Sequence, residues 1–329
     1  MGDIMNNSIH DQVWKSHWPD IISDYGDNVA EYRGKGKIKT QDEKELDCEF
    51  KIIQMRDGTI ISLCNLVIEQ PGFFPIADNF NIITLSGETV EGYTISTEGP
   101  ITVTKSHLSS SHECQIIFLV RSLNVRFIKD KDPETIWFGL TNFEFESNLY
   151  IDEIPSKGII IPRMVKAIDL RLQGEEVIIR QILDYEQIIK KLDAFGKIDV
   201  TCEASMEISN IGEIEKKLVL INDICYLISV ARGTKVNWIY YKLFGDNTPI
   251  LMGHQNRITK GFNSSYNLIT NDYSENNIKN FLERTYDTYL ARKDQYQLDR
   301  GTIDAYLDAK AEGDFLEMRG AKLAMQWRD

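Results

Sequence analysis

Two nearby stretches of this chain carry residue types that could hold an anion. Arg232, Lys235, Trp238 and Tyr240 lie in the first, Arg257 and Lys260 in the second. Cations interleaved with aromatics grip phosphate through charge-assisted hydrogen bonds and stack a base on a ring. If the two stretches pair, Arg232, Lys235, Trp238, Arg257 and Lys260 form one ligand-binding surface. If they do not, the same cations balance nearby carboxylates. Asp304, Asp308 and Glu312 offer a second chemistry. Their spacing aligns them on one helix face, where carboxylates can hold a divalent metal; the plainer alternative is the wet face of a helix. Asp223 is the third candidate, an ionisable residue inside an apolar helix. It either lines a cleft with a shifted pKa or reaches a hydrogen-bond partner.

Other chemistries find no support in the residues. His10, His17, His107, His112 and His254 are scattered, and His107 and His112 flank a Ser109–Ser111 turn. No metal site is assigned and no cofactor is expected. Cys48, Cys64, Cys114, Cys202 and Cys225 are widely spaced without a CxxC pair, so they read as buried, reduced thiols in a reducing compartment. There is no Gly-x-Ser-x-Gly elbow and no phosphate-binding loop. No catalytic residue follows, and whether the chain is an enzyme is left open.

The elements that must position these residues fall into regions. With 329 residues, two domains are favoured over one. Residues 1–35 are polar and irregular, an N-terminal arm pinned by Trp14 and Trp18. Residues 36–162 run strand after strand, with an Asp57-Gly58 hairpin signal, and predict an antiparallel β-sandwich-like domain. Ile136, Phe138 and Leu140 alternate on one face; Trp137, Phe143 and Phe145 are assigned to the other.

Residues 163–272 read as an α+β domain, a small sheet packed on a long helix. Gln173-Gly174 turns one strand into the next, and the stripe Ile188, Ile189, Leu192 and Phe195 predicts a helix. Residues 198–208 alternate without a break, a strand with one buried face. Glu213 to Arg232 reads as the central helix, stopped by Gly233. Residues 273–329 form a helical segment, begun at Ser274 and expected to be truncated. Leu316, Gly320, Leu323 and Trp327 make a stripe still running at its end, which predicts self-association or a partner protein. The fold class expected is therefore α+β.

A net charge of −13 argues against holding a nucleic-acid backbone over the whole surface. Leu218 to Ala231 is the longest apolar stretch, interrupted by Asn222 and Asp223 and shorter than the ~20 residues of a membrane span. No basic start followed by an apolar run marks a signal peptide. A cytoplasmic protein without membrane contact is expected.

The run Ile136 to Phe145, preceded by Leu85-Ser86-Gly87-Glu88-Thr89, resembles the N-terminal domain of ApeA-type anti-phage defence proteins. Leu227 to Thr234 and Asp314-Phe315-Leu316-Glu317 share the resemblance. In that family such a domain precedes a HEPN ribonuclease domain, whose catalysis uses Arg-x4–6-His. No Arg here precedes a His by that spacing, so the resemblance carries over no catalytic residue. It implies a binding or sensing module, the non-catalytic front of an antiviral defence effector, with a nucleotide, RNA or phage-derived ligand. The rival readings are a metal-dependent enzyme acting on nucleic acid through Asp304, Asp308 and Glu312, and a structural subunit of a larger assembly.

Overall fold

Period-two alternation dominates the chain, and the backbone answers it with strands. A computed structural model describes residues 28–40, 43–67, 82–98, 102–108, 113–128, 131–147, 149–152, 164–182, 185–195, 198–257, 277–296 and 298. Residues 1–27 of the N-terminal arm, Lys260, Ser274, the acidic row at 304–312 and the stripe at 316–327 lie outside these residues, while residues 28–35 of the arm are strand. The first eight strands are β1 (Asn28–Thr40), β2 (Glu45–Met55), β3 (Ile60–Val67), β4 (Ile82–Thr89), β5 (Thr94–Glu98), β6 (Thr102–Leu108), β7 (Glu113–Leu119) and β8 (Ser122–Arg126). There follow β9 (Thr135–Thr141), β10 (Leu149–Asp152), β11 (Met164–Leu172), β12 (Glu175–Gln181), β13 (Val200–Glu207), β14 (Trp238–Gly245) and β15 (Thr248–Gln255). Helix α1 (Tyr185–Phe195) precedes β13, α2 (Ile214–Arg232) precedes β14, and α3 (Asn277–Arg292) follows β15. The protein is α+β, as its sequence pattern predicts.

All the strands join one antiparallel ladder, in the order β10-β11-β12-β13-β9-β14-β15-β8-β5-β4-β1-β2-β3-β7-β6. The half running from β8 to β6 curls around its own core. Ile38, Phe50, Leu85, Ile95, Phe118 and Leu123, from six different strands, pack together on the inner face. β1 and β4 approach closely where they pair. There Gly36 faces Gly87, and a Cβ on Gly36 would come within 2.9 Å of the Gly87 Cα. Only strands without side chains at that point approach so closely.

The other half is covered by helices on one face. Ile136, Phe138, Leu170, Ile179, Ala204 and Leu243 meet Ile221, Ile224 and Ile228 of α2 in a second core. Gly233 ends α2 in the left-handed region (φ 66°), donating its N–H to the Ser229 carbonyl at 2.9 Å. β9 lies between β13 and β14, so residues 135–141 complete this second half of the sheet. The cluster inside the curl takes its residues from 38–125, and the helix-side cluster begins at Ile136. Phe143 and Phe145 depart from expectation. They sit in the helix-side core with Phe138, because Asn142 at φ 56° ends the strand and redirects the chain.

The halves are joined along the ladder and across it. β15 pairs with β8 along the ladder. The β1–β2 end also folds back onto β14 and β15, where buried His254 lies between Tyr32 and Gln54. Gln54 Nε2 donates to the Ile239 carbonyl at 2.7 Å, which turns its Oε1 toward His254 Nδ1. That oxygen only accepts, so Nδ1 carries the hydrogen and Nε2 accepts from the Tyr32 hydroxyl at 2.8 Å. Burial, and secondarily the Lys242 charge, lower the His254 pKa to about 3. The ring is neutral, as this pair of hydrogen bonds requires.

Candidate aromatic–cationic face

The sheet face opposite the helices brings cations and aromatics together in two rows. Cross-strand register sets the first: Ile178 of β12 opposes Ser205 of β13, which opposes Trp137 of β9, which opposes Lys242 of β14. The second row runs from Arg180 through Glu203 and Gly139 to Tyr240. Residues so paired on one face have Cβ atoms about 5 Å apart, close enough for long side chains to stack. Gly139 gives Tyr240 its place. A Cβ there would sit 2.8 Å from the ring's Cε2, so the phenol lies directly on the backbone.

The charges on this face are organised by the rings. The Arg180 guanidinium stacks 3.9 Å from the Trp137 ring centre, and its Nη2 donates to Glu203 at 2.9 Å. Glu203 also accepts from the Tyr240 hydroxyl at 3.3 Å. Burial, and then the Glu203 charge, push the Tyr240 hydroxyl well above its ordinary pKa. Lys242 lies 4.7 Å from the Tyr240 ring centre and forms no ion pair among the described residues. Phe244 meets the Trp137 edge at 6.1 Å. Trp137, Lys242 and Phe244 are half-buried, and Ile178 beside them is 39% exposed. Trp, Tyr and Arg packed around a few polar groups is the composition of an interface hot spot. Glu203 is the one carboxylate in the two rows, and it already satisfies Arg180 and Tyr240. That leaves Lys242 as the charge offered outward.

The residues singled out in the sequence go elsewhere. Arg232 is buried, 2% exposed, and pairs with Glu144 at 2.9 Å. Burial lowers its pKa, and Glu144 works against that. Trp238 is buried between Phe138 and Tyr241, with its indole N–H on Asn222 Oδ1 at 2.8 Å. Arg257 stacks 4.5 Å from the same indole, next to Cys225 and Tyr226. Lys235 lies half-buried in the turn between α2 and β14, and Lys260 is outside the described residues. Arg232 and Trp238 thus belong to the core. A register shift between Trp238 and Tyr240 is one reason. An extra residue there sends the two rings to opposite faces of the sheet.

Asp223 is anchored rather than poised in a cleft. It accepts from the Tyr289 hydroxyl at 3.1 Å and from Lys293 at 3.0 Å, tying α2 to α3. Among the described residues no three His, Cys, Asp or Glu side chains converge as a metal site. No described helix is long and apolar enough to cross a membrane.

The aromatic–cationic face escaped the sequence reading for a definite reason. Its members come from four strands that only the ladder makes neighbours. The signal that was present was Trp137, a large ring assigned to the face opposite Ile136 and Phe138. Known proteins add no assignment. No family model, no curated protein and no solved structure matches the chain. The reading of function therefore rests on this geometry.

Proposed function

We propose that the chain is a non-catalytic binding module that recognises a protein partner through the Trp137–Lys242 face. One observation carries the reading: Trp137, Lys242 and Phe244, all half-buried, share a sheet face with the stacked Arg180 and the buried Tyr240. Large rings supply contact area at low entropic cost, and a cation already stacked on a ring needs little ordering to meet a carboxylate. The fitting partner segment presents apolar side chains beside an acidic one. In this reading the chain serves as the sensing front of a defence effector, as the ApeA-type resemblance implies.

Photo-crosslinking tests it. A photoreactive residue at Ser205, inside the face, should give protein adducts in phage-infected cells. The same residue at Lys37, in the other half of the sheet, should not. Trp137→Ala combined with Lys242→Glu should remove the adducts and leave the fold intact by circular dichroism. Adducts to nucleic acid alone, or equal labelling at both positions, would end the proposal.

A further inference from the structure

Strand β11 has two kinds of neighbour along its outer side. β10 pairs with Met164–Ala167 and goes no further. Beyond Ala167 the same side of β11 meets α3. The Gln173-Gly174 turn, with both residues at positive φ, closes on the pair Leu172 and Glu175. A two-residue turn of that kind makes the closing pair exchange its hydrogen bonds. Alternation then aims the backbone groups of Ile168, Leu170 and Leu172 at β12, and turns the N–H groups of Asp169 and Arg171 outward. Both find carboxylates. The Arg171 N–H donates to Glu283 Oε1 at 3.1 Å, and the Asp169 N–H is met by its own side chain. Lys279 donates to that Asp169 carboxylate at 2.7 Å, and Gln173 Nε2 reaches Asp287 Oδ1 at 3.4 Å. Lys279, Glu283 and Asp287 recur every four residues on α3, about 6 Å per step. Asp169, Arg171 and Gln173 recur every two on extended chain, about 6.6 Å per step. The helix therefore tracks the strand edge, one side chain to each outward-facing position.

Uncovered, this edge would complement itself. The stretch between the end of the β10 pairing and the turn is 168–172, centred on Leu170. Antiparallel pairing of two copies about that centre sets Asp169 against Arg171 of the second copy, and Arg171 against the second copy's Asp169. Both members of each pair carry outward backbone groups, so hydrogen bonds form together with the two charge pairs. The contact is isologous, the kind that closes a two-fold dimer. Arg171 can exchange partners freely, since its pair with Glu176 at 3.3 Å joins side chains that are both largely exposed. α3 already supplies what a second copy would bring: a cation for Asp169 and an acceptor for the Arg171 N–H. We infer that α3 is a guard on β11 that shuts off edge-to-edge pairing with a second copy of the chain. Covering an edge with a helix prevents strand addition. The guard is fixed from behind: Leu282 and Tyr286 lie in the core, and Tyr289 and Lys293 bind Asp223.

Reversing the charges on α3 in the full chain tests the guard. Lys279→Glu with Glu283→Lys keeps an i, i+4 pair within the helix but sets like charges against Asp169 and Arg171. By light scattering, the variant's mass should rise toward that of a dimer as concentration increases, while the native chain's does not. A mass matching the native chain at every concentration overturns the proposal. Adding Arg171→Pro should return the native mass, because proline there removes an outward N–H and no hydrogen bond to β12. Association that survives the proline overturns the assignment to this edge. Amide exchange reads the guard without relying on the reversed variant to fold. In the native chain the Arg171 amide should exchange about tenfold or more slowly than an exposed amide. Glu283→Ala should abolish that protection and leave Leu170 and Leu172 protected. Free exchange at Arg171 in the native chain overturns the guard as well.

Discussion

The two halves of the sheet bury their inner faces by different means. Around β1–β8 the sheet curls on itself, and its enclosed core is mostly aliphatic, with Phe50 and Phe118 as its fully enclosed rings. Around β9–β15 the sheet stays open and helices lie across it. There the core is crowded with rings, including Phe138, Phe143, Phe145, Trp238 and Tyr241. Charge follows the same division. In the curled half Lys37 and Glu45 pair at the surface, with side chains 57% and 58% exposed. The helix-covered half takes charges inward, with Arg232 on Glu144 and Lys293 on Asp223. Strands inside a ladder satisfy one another's backbone. A helix laid over a sheet brings ends and long side chains into the interior, and each polar group taken in needs a partner.

Removing those partners should separate the halves most sharply. Glu144→Ala leaves the buried Arg232 guanidinium without its carboxylate, and urea unfolding should show a loss of about 3–5 kcal/mol. A loss under ~1 kcal/mol would mean that Arg232 is held by other groups. In the curled half the sensitive feature is close approach. Gly36→Val forces side-chain atoms against β4 and should cost about 1–3 kcal/mol, with a lower yield of folded protein. If Gly36→Val is neutral, the curl does not depend on that contact.

The junction between the halves should respond to acid. The folded pKa of His254 lies near 3, below its ordinary 6.5, so the unfolded chain takes up the proton first. Stability from this group is complete above pH 6.5 and falls as pH drops from 6.5 toward 3. By pH 5 the loss should reach about 2 kcal/mol. Urea midpoints at pH 7.5 and pH 5 measure it, and in His254→Gln the difference should shrink. An equal difference in both proteins would place the acid sensitivity elsewhere. The smallest effect belongs to the exposed pairs: Glu45→Ala should change stability by less than ~1 kcal/mol. A larger cost would blur the contrast between the halves.

Local pattern was legible throughout. The alternation over 198–208 gave β13, with Cys202, Ala204 and Met206 buried and Glu203 half-exposed. The apolar run closed by Gly233 gave α2. The Gln173-Gly174 turn between β11 and β12 appears with both residues at positive φ. Each of these depends on residues within a few positions of one another, where periodicity and backbone preference act directly.

The sequence by itself therefore determined the class of the protein, most of its strands and the central helix. Tertiary structure alone decided which strands became neighbours. β9 lies between strands that follow it by roughly sixty and a hundred residues, and β15 finds β8 across more than a hundred. That pairing reversed the fate of the charged and aromatic residues. Arg232 and Trp238 were drawn inward, where Glu144 and Asn222 receive them. Trp137, Arg180, Tyr240 and Lys242 were assembled on one face from three separate strands. The physical reason is that alternation fixes only which residues share a face of their own strand. Which faces come together is set by burial and hydrogen bonding across the whole sheet, and these act between residues that are strangers in the sequence.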